Sequence, residues 1–222
     1  MSTPGLMLYI SPLSQPARAI ILLAKSLDLQ YTEEDINFLK GEHKSEEYLK
    51  IHPFGTVPAV RDEDLTIIES CTALRYIASK YDTSGKWYPS DLKARARVDE
   101  FLDWHHTTLR KHAVGYFLGV VGPKLHDSEA DTAKINEHKE EMKKVDANIV
   151  RYFLNGRSFV AGDHMTIADL IAVCELEQPM CAYMTFSQPI MDYIERVKAQ
   201  IGPDYEQVTE KIRSFTKSMM NK

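Results

Sequence analysis

One junction in the sequence collects groups able to hold an anion. Ser11-Pro12-Leu13-Ser14-Gln15-Pro16-Ala17-Arg18 follows a short apolar run and opens a helical pattern. Pro16 near a helix start sets φ where its missing N–H does no harm. Ser14 then stands at the N-cap, its hydroxyl beside the free first-turn amides at the positive helix end. Such a place stabilises negative charge. The same residues also describe a plain cap, so both readings stand on the residues alone.

Two further segments would be odd as pure scaffold. Val57-Pro58 sets a proline at a strand start, which leaves a backbone group outside the ladder. A cis bond there would present the Val57 amide and carbonyl to an extended peptide ligand. Glu69-Ser70 precedes a helix, so the Ser70 hydroxyl and first-turn amides are placed either to hold a carboxylate or to cap.

Other chemistries lack their residues. There is no His-Glu-x-x-His, no Cys-x-x-Cys, no Gly-rich phosphate loop and no nucleophile elbow. The eight histidines are scattered apart from His105-His106. Neighbours one apart on a helix are not expected to face each other, so no metal site is expected. Cys71, Cys174 and Cys181 cannot build a disulfide framework. The last two would lie about 10 Å apart on one helix, and Pro179 argues against that helix. Buried thiols in a reducing cytosol are the expectation.

The elements that position these groups change character along the chain. Residues 6–10 read as a buried strand and 15–27 as a helix with a stripe at Ala17, Ile20, Leu23, Ala24 and Leu27. A second strand over 31–36 precedes a polar loop with a short helix over 37–51. Strands over 57–61 and 65–68 flank the charged turn Arg61-Asp62-Glu63-Asp64. Residues 70–81 are helical again. Asp82-Thr83-Ser84-Gly85-Lys86 is the linker candidate. Everything beyond it reads helical: 92–121 stopped by Gly122-Pro123, 130–154 ended by Asn155-Gly156, then one helix after Pro189 and a last one through Met219. Gly115, Gly119 and Gly122 predict close helix packing. Thr166 and Asp169 form a capping box, with Met165 and Leu170 as its hydrophobic staple, and this is folding chemistry.

Composition excludes several partners. The chain has 222 residues, 44% hydrophobic and 27% charged, so it can build its own core. A net charge of -5 without clustered base argues against nucleic acid. No apolar run approaches the ~20 residues of a membrane span, and Met1-Ser2-Thr3-Pro4-Gly5 does not begin a signal peptide.

Taken together, these segments resemble the theta class of the cytosolic glutathione transferases. The matching runs are Leu8-Tyr9, Leu13-Ser14-Gln15-Pro16-Ala17-Arg18-Ala19, Lys40-Gly41-Glu42-His43-Lys44-Ser45, Val57-Pro58-Ala59 and Glu69-Ser70. Trp87-Tyr88-Pro89-Ser90-Asp91-Leu92-Lys93-Ala94-Arg95-Ala96-Arg97-Val98-Asp99-Glu100 and the capping box continue the match, in order and spacing, over about residues 6–205.

The resemblance implies an α/β thioredoxin-like domain over residues 1–82 and an all-α domain over 88–222. It implies a cytoplasmic homodimer using glutathione as co-substrate. Ser14 becomes the catalytic residue, donating a hydrogen bond to the glutathione thiolate and so lowering the thiol pKa. The thiolate would attack an electrophilic carbon, including one bearing a halide, or a peroxide oxygen. Other classes use a tyrosine, but the match places Tyr9 inside a strand, as packing. By the same match His43 and Lys44 hold the glycyl carboxylate, and Val57 pairs with the cysteinyl unit beside cis Pro58. Glu69 and Ser70 hold the γ-glutamyl group with help from Gln15, and Arg110 reaches the cleft from a helix as a further glutathione contact. Leu13, Phe117 and Val121 are expected to line the electrophile pocket.

Three departures qualify that reading. Thr56 stands where theta relatives often carry a lysine, which weakens one carboxylate contact. Cys71 follows Ser70 at a helix start, which could depress its pKa, although packing is the expected role. The sequence closes at Lys222 where vertebrate theta enzymes continue into a covering tail, so a more open pocket is expected. The competing reading is a non-catalytic ligand-binding or interaction protein on the same fold. A weaker one is a redox protein working through Cys71.

Overall fold

The computed structural model describes residues 5–221. The leader reading at residues 1–4 and the chain end at Lys222 lie outside the described residues.

The first third builds a four-stranded sheet. Strands β1 (Leu6–Ile10), β2 (Tyr31–Asp35), β3 (Ala59–Asp62) and β4 (Leu65–Ile67) lie in the order β2-β1-β3-β4. β1 runs parallel to β2 through the crossover helix α1 (Gln15–Ser26) and antiparallel to β3, which pairs antiparallel with β4. A short helix, α2 (Glu46–Leu49), and α3 (Ser70–Tyr81) complete the thioredoxin-like arrangement. β3 starts two residues later than expected. The cis Val57–Pro58 bond precedes the ladder, and proline has no N–H to add to it. Leu8 and Ile10 are buried between sheet and helix, whereas Tyr9 packs on the opposite face against Tyr48, ring centroids 6.4 Å apart. Tyr9 is thus a packing residue.

The rest is helical, with two boundaries that differ from the pattern in the sequence. The stretch expected as one helix over 92–121 is two, α4 (Leu92–Thr107) and α5 (Leu109–His126), broken at Thr108, whose backbone is not helical (φ -121°, ψ -80°). α5 also runs through Pro123 instead of stopping there. An interior proline costs about 3 kcal/mol, and packing of Val121 and Leu125 against the core outweighs it. The next expected helix is α6 (Thr132–Asn148) followed by a π-helical turn, Ile149–Leu154, closed by left-handed Asn155.

α7 (Ile167–Cys181) is the axis of this region, with every residue from Ile167 to Pro179 buried. A helix buried all round has no polar face, so the sequence shows only its cap and no stripe. It continues through Pro179, contrary to expectation, and carries both Cys174 and Cys181; all three cysteines are free. The capping box forms as expected. α8 (Gln188–Ile201) and α9 (Pro203–Met220) close the chain, and Lys25 ties α1 to α9 through Asp204 at 3.1 Å.

The glycine pattern on α5 divides. A Cβ on Gly115 would lie 2.3 Å from His138 Nε2, and one on Gly119 would lie 2.8 Å from Ile135, both on α6. One on Gly122 would meet nothing within 4 Å. Close packing therefore explains the first two only. Gly115→Ala should lose about 1–3 kcal/mol to overpacking, against about 1 kcal/mol of helix propensity gained. Gly122→Ala offsets that gain against crowding of the new Cβ on the following Pro123 ring and should be near neutral. Urea titrations of both variants check that Gly115→Ala is the more destabilising, and equal shifts would contradict the packing assignment.

Candidate active site

A cavity of about 430 Å³ opens between the sheet-bearing part and α5, α7 and α9. Ser14, Gln15, His43, Lys44, Val57 and Arg110 all line it. These residues lie up to 96 positions apart, from Ser14 to Arg110. Leu13, Phe117 and Val121 line it too, as the expected apolar wall.

Ser14 is the N-cap of α1 with an extended backbone, and its hydroxyl makes no capping hydrogen bond among the described residues. Its backbone is held on both sides: Ser14 N–H donates to the Ser11 carbonyl at 2.9 Å, and Arg18 N–H donates to the Ser14 carbonyl at 3.1 Å. Pro16 removes one first-turn donor and no acidic residue neutralises that turn. The buried Ser14 hydroxyl therefore faces the cavity beside first-turn amides that have no intrahelical acceptor. Of the two sequence readings, this geometry disfavours the plain side-chain cap.

The opposite wall comes from the loop before β3. Gly55 has φ +58°, and a Cβ there would lie 2.6 Å from the His43 carbonyl, so only glycine brings these two loops together. Lys44 Nζ donates to the Gly55 carbonyl at 2.8 Å and to the Phe54 carbonyl at 3.3 Å. The His43 ring meets Phe38 edge-on at 4.9 Å, and its Nδ1 is buried with no partner among the described residues. Burial, then the Lys44 charge, lowers the His43 pKa. Val57 also lines the cavity, and its amide and carbonyl stand outside the β3 ladder. Thr56 lies beside it, with Oγ1 bonded to His52 at 2.9 Å and its carbonyl accepting from the Tyr48 hydroxyl at 2.7 Å.

The helical wall carries charge. Arg110 Nη1 donates to Glu175 Oε1 at 2.6 Å. Glu175 is fully buried, its other oxygen unpaired among the described residues, and burial pushes its pKa up although Arg110 opposes this. Gln178 was invisible as a site residue in the sequence. It lines the cavity, accepts from buried Arg18 at 2.8 Å, and reaches the Leu13 carbonyl at 3.5 Å. Arg18 also donates to the Pro12 carbonyl at 3.1 Å, so α7 braces the Ser14 loop from 160 positions away. No local pattern signals a contact at that separation.

Pro58, Glu69 and Ser70 do not themselves line this cavity, although Pro58 directly follows the lining residue Val57. Glu69, not Ser70, is the N-cap of α3; its exposed side chain makes no capping bond, and Ser70 is the buried first helical residue. The Cys71 thiol is pushed up to about 12 by burial, the reverse of the depression a helix start could produce. That opposes a redox role and fits packing. His105 and His106 also depart from expectation: their ring centroids lie 4.2 Å apart. The helical turn separates their Cβ atoms, but the ring-bearing side chains lean together at the end of α4.

The sequence model "Glutathione S-transferase, N-terminal domain" matches residues 4–79. Human glutathione S-transferase theta-1 is 34% identical over 212 residues, covering 94% of this chain and 88% of that protein. Human theta-2 is 37% identical over 177 residues, 79% of this chain and 72% of that one. A solved structure of human glutathione transferase theta-2, in complex with glutathione and an unknown ligand, superposes with a TM-score of 0.92 at 33% identity. The superposition covers 98% of this chain and 91% of that one. No helix among the described residues is long and apolar enough to cross a membrane. The chain therefore belongs to the theta class of the glutathione S-transferases, enzymes whose co-substrate is glutathione and which need no metal.

Proposed function

We propose that the chain conjugates glutathione to small electrophiles, with Ser14 stabilising the thiolate. The observation that carries this reading is the Ser14 hydroxyl, buried at the cavity wall and unused as a cap. The glutathione thiol gives its proton to solvent. Its sulfur then accepts a hydrogen bond from Ser14 Oγ–H at the positive end of α1. Attack on an alkyl halide forms the C–S bond as halide leaves. Attack on an organic hydroperoxide cleaves the O–O bond, giving an alcohol and a sulfenic acid of glutathione. A second glutathione reduces that acid to the disulfide and water.

The tripeptide would run between the two loops. His43 and Lys44 hold the glycyl carboxylate, and Val57 beside cis Pro58 pairs with the cysteinyl unit. Glu69, Ser70 and Gln15 hold the γ-glutamyl end. Arg110, the remaining glutathione contact, reaches the cavity from α5 and is held by Glu175. Residues 1–82 then form the glutathione-binding domain and 88–222 the helical domain lining the electrophile pocket, in a cytoplasmic homodimer.

The expected result is retention on glutathione resin together with turnover of alkyl halides or cumene hydroperoxide. A panel of both, beside an aromatic chloride, tests it. Retention with no turnover on any electrophile would favour the ligand-carrier reading instead.

A further inference from the structure

The first turn of α3 and the last turn of α4 place three metal-binding side chains together. Atoms of Cys71, His105 and His106 able to act as ligands all lie within 4.8 Å of one another. Cys71 and His105 are buried, whereas His106 is exposed, so the cluster has a dry inner side and an entry from solvent. We propose that Cys71, His105 and His106 form an accessory site for a thiophilic divalent cation, with zinc as the fitting ion.

The ligand chemistry suits zinc. Thiolate and imidazole are its usual donors, with bonds of about 2.3 Å to sulfur and about 2.0 Å to nitrogen. A tetrahedral centre then needs its donors roughly 3.3–3.5 Å apart. The ligand atoms lie within 4.8 Å of one another, so binding must draw them closer by side-chain rotation, for which the exposed His106 ring has room. His105 Nδ1 meets the Leu102 carbonyl, so the proton sits there and Nε2 keeps its lone pair. The ring is also stacked on Phe101 at 6.4 Å.

The surrounding charges permit a cation. Arg75 is engaged by Asp99 at 2.7 Å and by Asp103 at 3.2 Å, and Arg110 by Glu175 at 2.6 Å. Binding replaces the Cys71 S–H bond by a Zn–S bond, and the proton goes to solvent. A water completes the coordination. None of the three ligands lines the cavity, and the ion acts as a clamp between α3 and α4, one residue beyond Ser70. The site is independent of the role given to Ser14.

Cobalt(II) added to the glutathione-free protein reads the site directly. The expected result is one equivalent bound with a thiolate-to-cobalt charge-transfer band and tetrahedral d–d absorption. Zinc should displace it and raise the melting temperature. Cys71→Ser should abolish the charge-transfer band. His106→Ala, an exposed change that leaves the core intact, should weaken zinc at least about ten-fold. Cobalt binding without the charge-transfer band would overturn the proposal. So would affinity that survives both variants but falls on His138→Gln, which would locate the ion at the His112–His138 pair, whose Nδ1 atoms lie 3.2 Å apart.

Discussion

Ser14→Ala should cut kcat/KM for conjugation by about ten- to a hundred-fold near neutral pH while leaving the glutathione Kd within a few-fold. A hydrogen bond to a charged group contributes about 1.5–3 kcal/mol, and 1.36 kcal/mol is one pKa unit. Losing it raises the bound thiol by about one to two units, and the thiolate fraction falls in proportion. The sign gives a second readout. At high pH, above the thiol pKa in both proteins, both carry thiolate and the rates should converge. A loss that stays constant across pH would mean that Ser14 positions substrate and does not stabilise charge. Full activity in the variant would remove it from the mechanism. The structure adds a control: because the hydroxyl makes no capping bond, stability should stay within about 0.5 kcal/mol of wild type, where a lost cap would cost about 1.

Asp169→Ala should be the most damaging stability change among the residues named above. Its carboxylate is fully buried and accepts from Val160 N–H at 3.0 Å, Thr166 N–H at 2.8 Å, the Thr166 hydroxyl at 3.2 Å and the Tyr193 hydroxyl at 2.9 Å. A capping box alone would explain only the Thr166 pair. The other two bonds make Asp169 the joint between the loop at Val160, the start of α7 and α8. Truncation strands several buried donors at about 1–3 kcal/mol each, in a domain whose whole stability is about 5–15 kcal/mol. Asp169→Asn keeps the shape but turns an N–H₂ toward donors, so it should fall between. Thr166→Ala should cost only about 1 kcal/mol. Urea unfolding followed by circular dichroism orders the three, and an Asp169→Ala loss no greater than that of Thr166→Ala would refute the hub.

Much of the fold was legible because it rests on local periodicity. The stripe of α1, the alternation of the strands and the Thr166 cap each declare themselves within a few residues. The helix boundaries that differ from the local pattern have two causes. Pro123 and Pro179 are helix breakers by local preference, yet packing holds α5 and α7 together through them. The break at Thr108, a residue with no breaking preference of its own, has no local signal at all.

The site divides the same way. The sequence by itself determined which groups could meet an anion or an extended peptide: a serine at a helix start and a proline at a strand start. These follow from side-chain chemistry and from position within one element, whereas the His43-Lys44 pair entered only through the family resemblance. Only the tertiary structure decided that the Ser14 hydroxyl is free to face a ligand and that Gly55 lets the two loops meet. It alone showed Gln178 and Arg18 bracing the Ser14 loop, and Cys71 with two leaning histidines. Each of these depends on side chains from distant segments converging in space. Convergence is set by packing of the whole core, and no window of local sequence contains it.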